Sequence, residues 1–201
     1  MEDKPNILLD LDNTVICAEA DEEYDFKKYK EKAKKFNFKD MDGYYIVFER
    51  PHLQEFLDYL FSNFNVSVWT AASKDYALFI IEKILLARKP DRKIDFIFFS
   101  YHCDASMKER DATKHLDMIW ETYGLEGYGP NNTVIIDDYN EVHRTQPANC
   151  IIAEAFEFTK EGSEKDDYLL RLRPCLEKMK KNIASGGTEP ARKVNEELKL
   201  V

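Results

Sequence analysis

Asp10 and Asp12 stand two residues apart behind the apolar run Ile7-Leu8-Leu9, and Thr14 adds a hydroxyl four residues after Asp10. A run of that length suits a buried strand. A strand ending at Asp10 carries its carboxylate to the carboxyl edge of a sheet, where open α/β sheets bind ligands. The same residues also suit an Asx-type turn that merely closes a strand. Two further strands sharpen the choice. Val66-Ser67-Val68-Trp69 runs into Thr70, and Thr133-Val134-Ile135-Ile136 runs into Asp137-Asp138. In a parallel sheet these polar ends share one edge. Asp10, Asp12, Asp137 and Asp138 would repel one another there, so a compensating charge is required. A hard divalent cation such as Mg²⁺ takes oxygen ligands and fits that need. One carboxylate is then left to attack phosphorus and carry it as an aspartyl-phosphate.

The elements that must position these groups can be read along the chain. The segment from Glu19 to Asp42 is dense in lysine, with Tyr24, Phe26, Tyr29, Ala33 and Phe36 at partly helical spacing. It reads as a surface insert, partly helical, with a lid over the site as the lesser alternative. Asp42-Gly43 signals a turn before the strand Tyr44 to Phe48. Arg50-Pro51 breaks that strand, Pro51 suits a first helical turn, and Leu53, Phe56, Leu57, Leu60 and Phe61 form a helix stripe. A helix is expected from Lys74 to Arg88, a strand from Ile94 to Phe99, a polar irregular stretch from Ser100 to Asp111, and a helix from Thr113 to Tyr123. A short strand at 149–153 and an amphipathic helix at 165–183 follow. The catalytic domain therefore spans 1–184, and Ser185-Gly186-Gly187 opens a polar, mobile tail at 185–201. Strands alternating with helices give an α/β domain with a mostly parallel central sheet.

Composition bounds the rest. The 201 residues suffice for one domain with a real core. A net charge of −9 argues against a nucleic-acid footprint. Cys17, Cys103, Cys150 and Cys175 lack metal-binding spacing and read as reduced thiols of an intracellular, soluble protein of nucleus or cytoplasm. No apolar run approaches the length of a membrane span.

Asp10-Leu11-Asp12-Asn13-Thr14 resembles the first motif of the haloacid dehalogenase superfamily of phosphotransferases. Arg50-Pro51-His52-Leu53-Gln54-Glu55-Phe56-Leu57 and Trp69-Thr70-Ala71-Ala72-Ser73-Lys74-Asp75-Tyr76-Ala77 resemble its branch acting on the C-terminal domain of RNA polymerase II, the NLI-interacting-factor-like phosphatases. The resemblance covers roughly residues 5 to 180 and implies a three-layer, Rossmann-like fold.

It also implies roles. Asp10 is the nucleophile, and Asp12 is the acid and then the base, its backbone carbonyl facing Mg²⁺. Thr70, with Ala71 beside it, binds a phosphoryl oxygen, and Thr14 holds the loop around Asp10. Lys114 matches the third-motif lysine that opens a helix and balances charge, with Lys108 as a rival. Asp138 ligates the metal directly, and Asp137 does so directly or through water. The substrate implied is phosphoserine or phosphothreonine in a protein or extended peptide. A small-molecule or nucleic-acid-end phosphatase and a non-catalytic binding module are the alternatives. Two departures stand out. Ser100 replaces an arginine of the family segment Phe-Arg-x-His-Cys, and Ala72 replaces a common serine.

Overall fold

The computed structural model describes residues 4–20, 26–87 and 89–201. Tyr24 and the end of the expected helix at Arg88 lie outside the described residues, as does the side chain of Phe26.

Five strands form the central sheet. They are β1 (Asn6–Leu9), β5 (Asn65–Trp69), β6 (Ile94–Phe98), β7 (Thr133–Asp137) and β8 (Cys150–Ile152). All pair in parallel, in the order β6-β5-β1-β7-β8. The apolar first strand is central, as its burial on both faces demands. Leu9 is in register with both Val68 and Ile136. Asp10, Thr70 and Asp137 therefore leave the sheet within two residues of one level.

Alternation along the strands separates two cores. Ile7, Leu9, Val66, Val68, Val134 and Ile136 face α2 (Leu53–Asn63), α3 (Lys74–Ile80) and α6 (Tyr168–Ala184). Leu8, Trp69 and Ile135 face the opposite way, onto Cys103 of α4 (Ser100–Arg110) and Val142 of α5 (Asn140–Thr145). This is the expected three-layer arrangement. The four cysteines are buried and separate. Among the described residues no helix is long and apolar enough to cross a membrane.

Several local expectations need correction. The insert at 19–42 is built into the fold. Its ends contribute to β2 (Ile16–Ala20) and β3 (Phe38–Met41), which pair antiparallel with β4 (Tyr45–Glu49) in the order β2-β4-β3. Between them α1 (Phe26–Ala33) packs Tyr29 and Ala33 against a third core of Phe48, Phe156 and Phe158. Phe48 and Phe158 stack at 3.6 Å. The β3–β4 turn sets Asp42 at φ 50° and Gly43 at φ 79°, the double positive φ that tight hairpins favour.

The stretch 100–111 is not irregular. It is α4, and because only Cys103 and Ser106 of it are buried, no apolar stripe marks it. The expected helix at 113–123 is instead an irregular turn followed by a π-helical turn at Met118–Thr122. A second π turn, Ile81–Leu85, continues α3. Helix α2 starts at Leu53, after His52 in a left-handed conformation, so Pro51 precedes the first turn.

The stretch 185–201 is not a loose tail. It contains α7 (Arg192–Leu198), whose Val194 and Leu198 join the main core together with Ala191. Buried Asn195 bonds the backbone of Ile152 and Cys150 at 2.9 Å each. Few apolar residues do this packing, and the polar ones around them conceal it.

Candidate active site

Beyond β1 the chain turns back on itself. Val15 and Ile16 donate backbone hydrogen bonds to Leu11, Asn13 donates to Ile16, and Asn13 takes φ 59°. Asparagine tolerates that left-handed conformation better than most residues. The turn aims Asp10 and Thr14 at the same space.

Asp10 is buried and held at both oxygens. Lys114 Nζ donates to Oδ1 at 2.6 Å, and the Thr14 hydroxyl donates to Oδ2 at 3.1 Å. Lys114 also donates to Asp137 Oδ2 at 2.7 Å. Burial alone would lower the Lys114 pKa, but Asp10 and Asp137 outweigh it and keep the ammonium charged. Burial and the Asp10 charge push Asp137 up, against the pull of Lys114. Asp138 is half-buried and raised by the same two causes. Thr14 joins it as well: its hydroxyl lies 3.4 Å from Asp138 Oδ1 and accepts the Asp138 amide at 3.2 Å.

The donor set fits a hard cation. Asp10, Asp137 and Asp138 each offer a carboxylate oxygen, all within 4.8 Å of one another. That all-oxygen set with excess negative charge suits Mg²⁺ or a similar ion. Both oxygens of Asp137 are already engaged, one by Lys114 and the other by the Tyr139 amide at 2.9 Å. Asp138 is the freer of the two. The Asp12 side chain lies outside this group. Its Oδ1 accepts the Tyr76 hydroxyl at 2.5 Å. Burial is the main reason its pKa rises to about 6; the Tyr76 bond opposes that rise and Asp10 adds to it.

Thr70 is buried at the end of β5. Its hydroxyl oxygen accepts the Ala72 amide at 3.1 Å, which leaves the hydroxyl proton available. Ala71 beside it is exposed. Ser100 donates its amide to the Ala72 carbonyl at 2.9 Å, so Ser100 flanks the Thr70 loop.

The expected residues Asp10, Thr14, Lys114, Asp137 and Asp138 are thus directly linked, and Asp12 and Thr70 stand at the same sheet edge. Lys114 does not open a regular helix; it sits at φ 50° in the turn after α4. Its rival Lys108 lies within α4.

Sequence reasoning missed four supports. Tyr76 bonds Asp12, although the resemblance of its segment assigns it no role. Gln146 fixes the Lys114 turn by donating to the Lys114 carbonyl at 2.8 Å and accepting the Leu116 amide at 2.9 Å. Arg50 donates to the Thr14 carbonyl at 2.9 Å, and Asp166 grips the guanidinium at 2.7 and 2.8 Å. The guanidinium also lies 4.4 Å from the Tyr168 ring centre. Arg50 could be singled out by its motif, but partners 116 residues away leave no local signal.

The chain is similar to known proteins in sequence and in fold. A family model described as NLI interacting factor-like phosphatase matches residues 5–185. The protein 355R of invertebrate iridescent virus 6, described as CTD phosphatase-like, is 49% identical over 175 residues, 85% of this chain and 96% of that protein. Its namesake in invertebrate iridescent virus 3 is 42% identical over 183 residues, 88% and 97% of the two chains. Among solved structures, fission yeast Fcp1, an RNA polymerase II CTD phosphatase bound to beryllium fluoride, shares the fold. It matches with a TM-score of 0.65 at 16% identity, over 94% of this chain and 69% of that one.

Proposed function

The chain belongs to the NLI interacting factor-like phosphatase family, and we propose that it removes phosphate from phosphoserine or phosphothreonine of an extended protein segment, with Asp10 as nucleophile. One observation carries this reading. A buried carboxylate at a sheet's carboxyl edge is fixed by an ammonium at 2.6 Å and a hydroxyl at 3.1 Å, beside two further carboxylates. Such fixing presents a nucleophile in one orientation.

In the first step an Asp10 oxygen bonds to phosphorus as the ester P–O bond breaks. Asp12 gives its proton to the departing serine or threonine oxygen. In the second step a water oxygen bonds to phosphorus, the Asp10–phosphorus bond breaks, and Asp12 takes the water proton. Lys114 and the Thr70 hydroxyl stabilise charge on the phosphoryl oxygens, with Ala71 lining the same loop. Asp10, Asp138, Asp137 and the Asp12 carbonyl would hold Mg²⁺, which would supply further neutralisation of that charge. Exposure of Ala71, Ser73 and Tyr139 leaves the edge open to a protein-borne phosphate.

The test is hydrolysis of a phosphoserine peptide with Mg²⁺ and with excess chelator. Chelation should abolish turnover and Mg²⁺ restore it. Asp138→Asn should retain some activity, because an amide oxygen can still ligate, and Asp138→Ala nearly none. Full turnover in chelator, or equal mild losses in both variants, would remove the metal assignment. No turnover of any phosphopeptide with Mg²⁺ present would remove the reading.

A further inference from the structure

Tyr76 lies on α3, within the family-like segment Trp69–Ala77 but given no role by that resemblance, and its hydroxyl makes the short bond to Asp12 Oδ1 at 2.5 Å. Its ring is buried. The ring of Tyr45, from the start of β4, meets it edge to face, with ring centres 5.5 Å apart and planes at 81°. Tyr45 is 39% exposed and Tyr44, beside it at the hairpin, 73%. One side of Tyr76 thus touches the acid–base carboxylate, and the other touches a residue that faces solvent.

We propose that Tyr76 is a positioning residue. It reserves Asp12 Oδ2 as the oxygen that exchanges protons, and it ties that oxygen's placement to a substrate-peptide side chain packed on Tyr45. This rests on the function proposed above and deepens it.

The chemistry follows from the bond. A carboxyl oxygen that accepts a strong O–H bond is a poorer base than its free neighbour, so the proton of the acid form sits on Oδ2. The Tyr76 hydroxyl is the donor of that bond. When the phosphoryl group passes from Asp10 to water, the Asp10–phosphorus bond breaks as the water oxygen bonds to phosphorus. The water proton then goes to Asp12 Oδ2. A carboxylate free to rotate would spend part of its time with no oxygen aimed at that water. The second step depends on this aim with any substrate. The first depends on it only where the leaving group needs a proton. A peptide side chain resting on Tyr45 would hold the Tyr76 ring, and hence Asp12, in place. p-Nitrophenyl phosphate has no peptide side chain to make that contact.

The test uses the full chain with Mg²⁺, a phosphoserine peptide and p-nitrophenyl phosphate. Tyr76→Phe deletes only the hydroxyl. Its kcat for the peptide should fall about tenfold, the loss of one bond to a charged group, with KM within twofold. With p-nitrophenyl phosphate, acid-quenched protein should carry more phosphate on Asp10 than wild type, because formation is spared and hydrolysis is slowed. On an Asp12→Asn background the same substitution should add no further loss. Tyr45→Ala should lower kcat for the peptide and leave p-nitrophenyl phosphate within twofold.

Equal losses on both substrates with no extra label would overturn the proposal. So would a change confined to KM, or full additivity with Asp12→Asn. If Tyr76→Phe does not fold, the Tyr45→Ala substrate ratio decides: an unchanged ratio overturns the proposal. An active wild type without these splits removes only this inference, whereas a wild type inactive on both substrates removes the proposed function as well.

Discussion

The two ends of β1, β5 and β7 carry buried polar clusters of opposite character. At the starting edge Asn6, fully buried, donates to the Gly127 carbonyl at 2.9 Å and Thr133 Oγ1 at 3.1 Å and accepts from Asn65 at 3.0 Å. Every group there is neutral, and each bond offsets the cost of desolvating its partners. At the finishing edge Asp10, Asp137 and Asp138 crowd around one ammonium, Lys114. Its charges do not balance. The first cluster is finished without a ligand, whereas the second gathers three carboxyl groups around one ammonium, an imbalance that a bound cation would relieve. Strain of this kind is what functional sites retain at the expense of stability.

Lys114→Met should give the largest effect, because it strikes both properties at once. Removing one partner of a buried ion pair costs about 3–5 kcal/mol. Loss of the fixed charge should lower kcat about a hundred- to a thousand-fold. Denaturant unfolding and turnover measured on one preparation check this, and Mg²⁺ should recover part of the stability and little of the rate. Stability unchanged in chelator would mean the two carboxylates are not charged together.

Asn6→Ala should separate the properties. It strands the Asn65 amide and nearby acceptors, at about 1–3 kcal/mol, while kcat stays within twofold. A kcat that falls with stability would show that the two edges are coupled through the strands.

The smallest effect is a pH profile. Asp12 must be protonated to act as acid, and burial raises its pKa to about 6. Its protonated fraction, and with it kcat for a phosphoserine peptide, should fall as pH rises through about 6. An aryl phosphate, whose leaving group needs no proton, should show a flatter curve over that range. Parallel curves for the two substrates would take the acid role from Asp12. Asn6→Ala should leave both curves in place, because no group in its cluster titrates there.

The sequence exposes one edge better than the other. Runs such as Thr133 to Ile136 announce strands, and each ends in a group whose chemistry is conspicuous. The starting edge carries only asparagines and threonines, which read as ordinary turn residues. Helix α4 stayed hidden because it buries two small side chains rather than a stripe. Lys114 was found through a motif, yet its left-handed turn was not, because Gln146, which fixes that turn, lies 32 residues on. Tyr76 stood in a family-like segment without a role, since a hydroxyl's partner across 64 residues leaves no local pattern. Spacing reports what an element buries. It does not report which distant group an element meets.

The clamp of Arg50 between the Thr14 carbonyl and Asp166 also bears on how the protein is made. The turn that shapes Asp10 is synthesised early, but one of its braces depends on a carboxylate 116 residues after Arg50, and Asp10 itself faces β7. Contacts so distant in sequence form late, because a long loop must close before they contribute. During translation the Asp10 turn should therefore stay unformed until the Asp166 region has left the ribosome. A nascent chain stalled short of it would carry the motif without a working site.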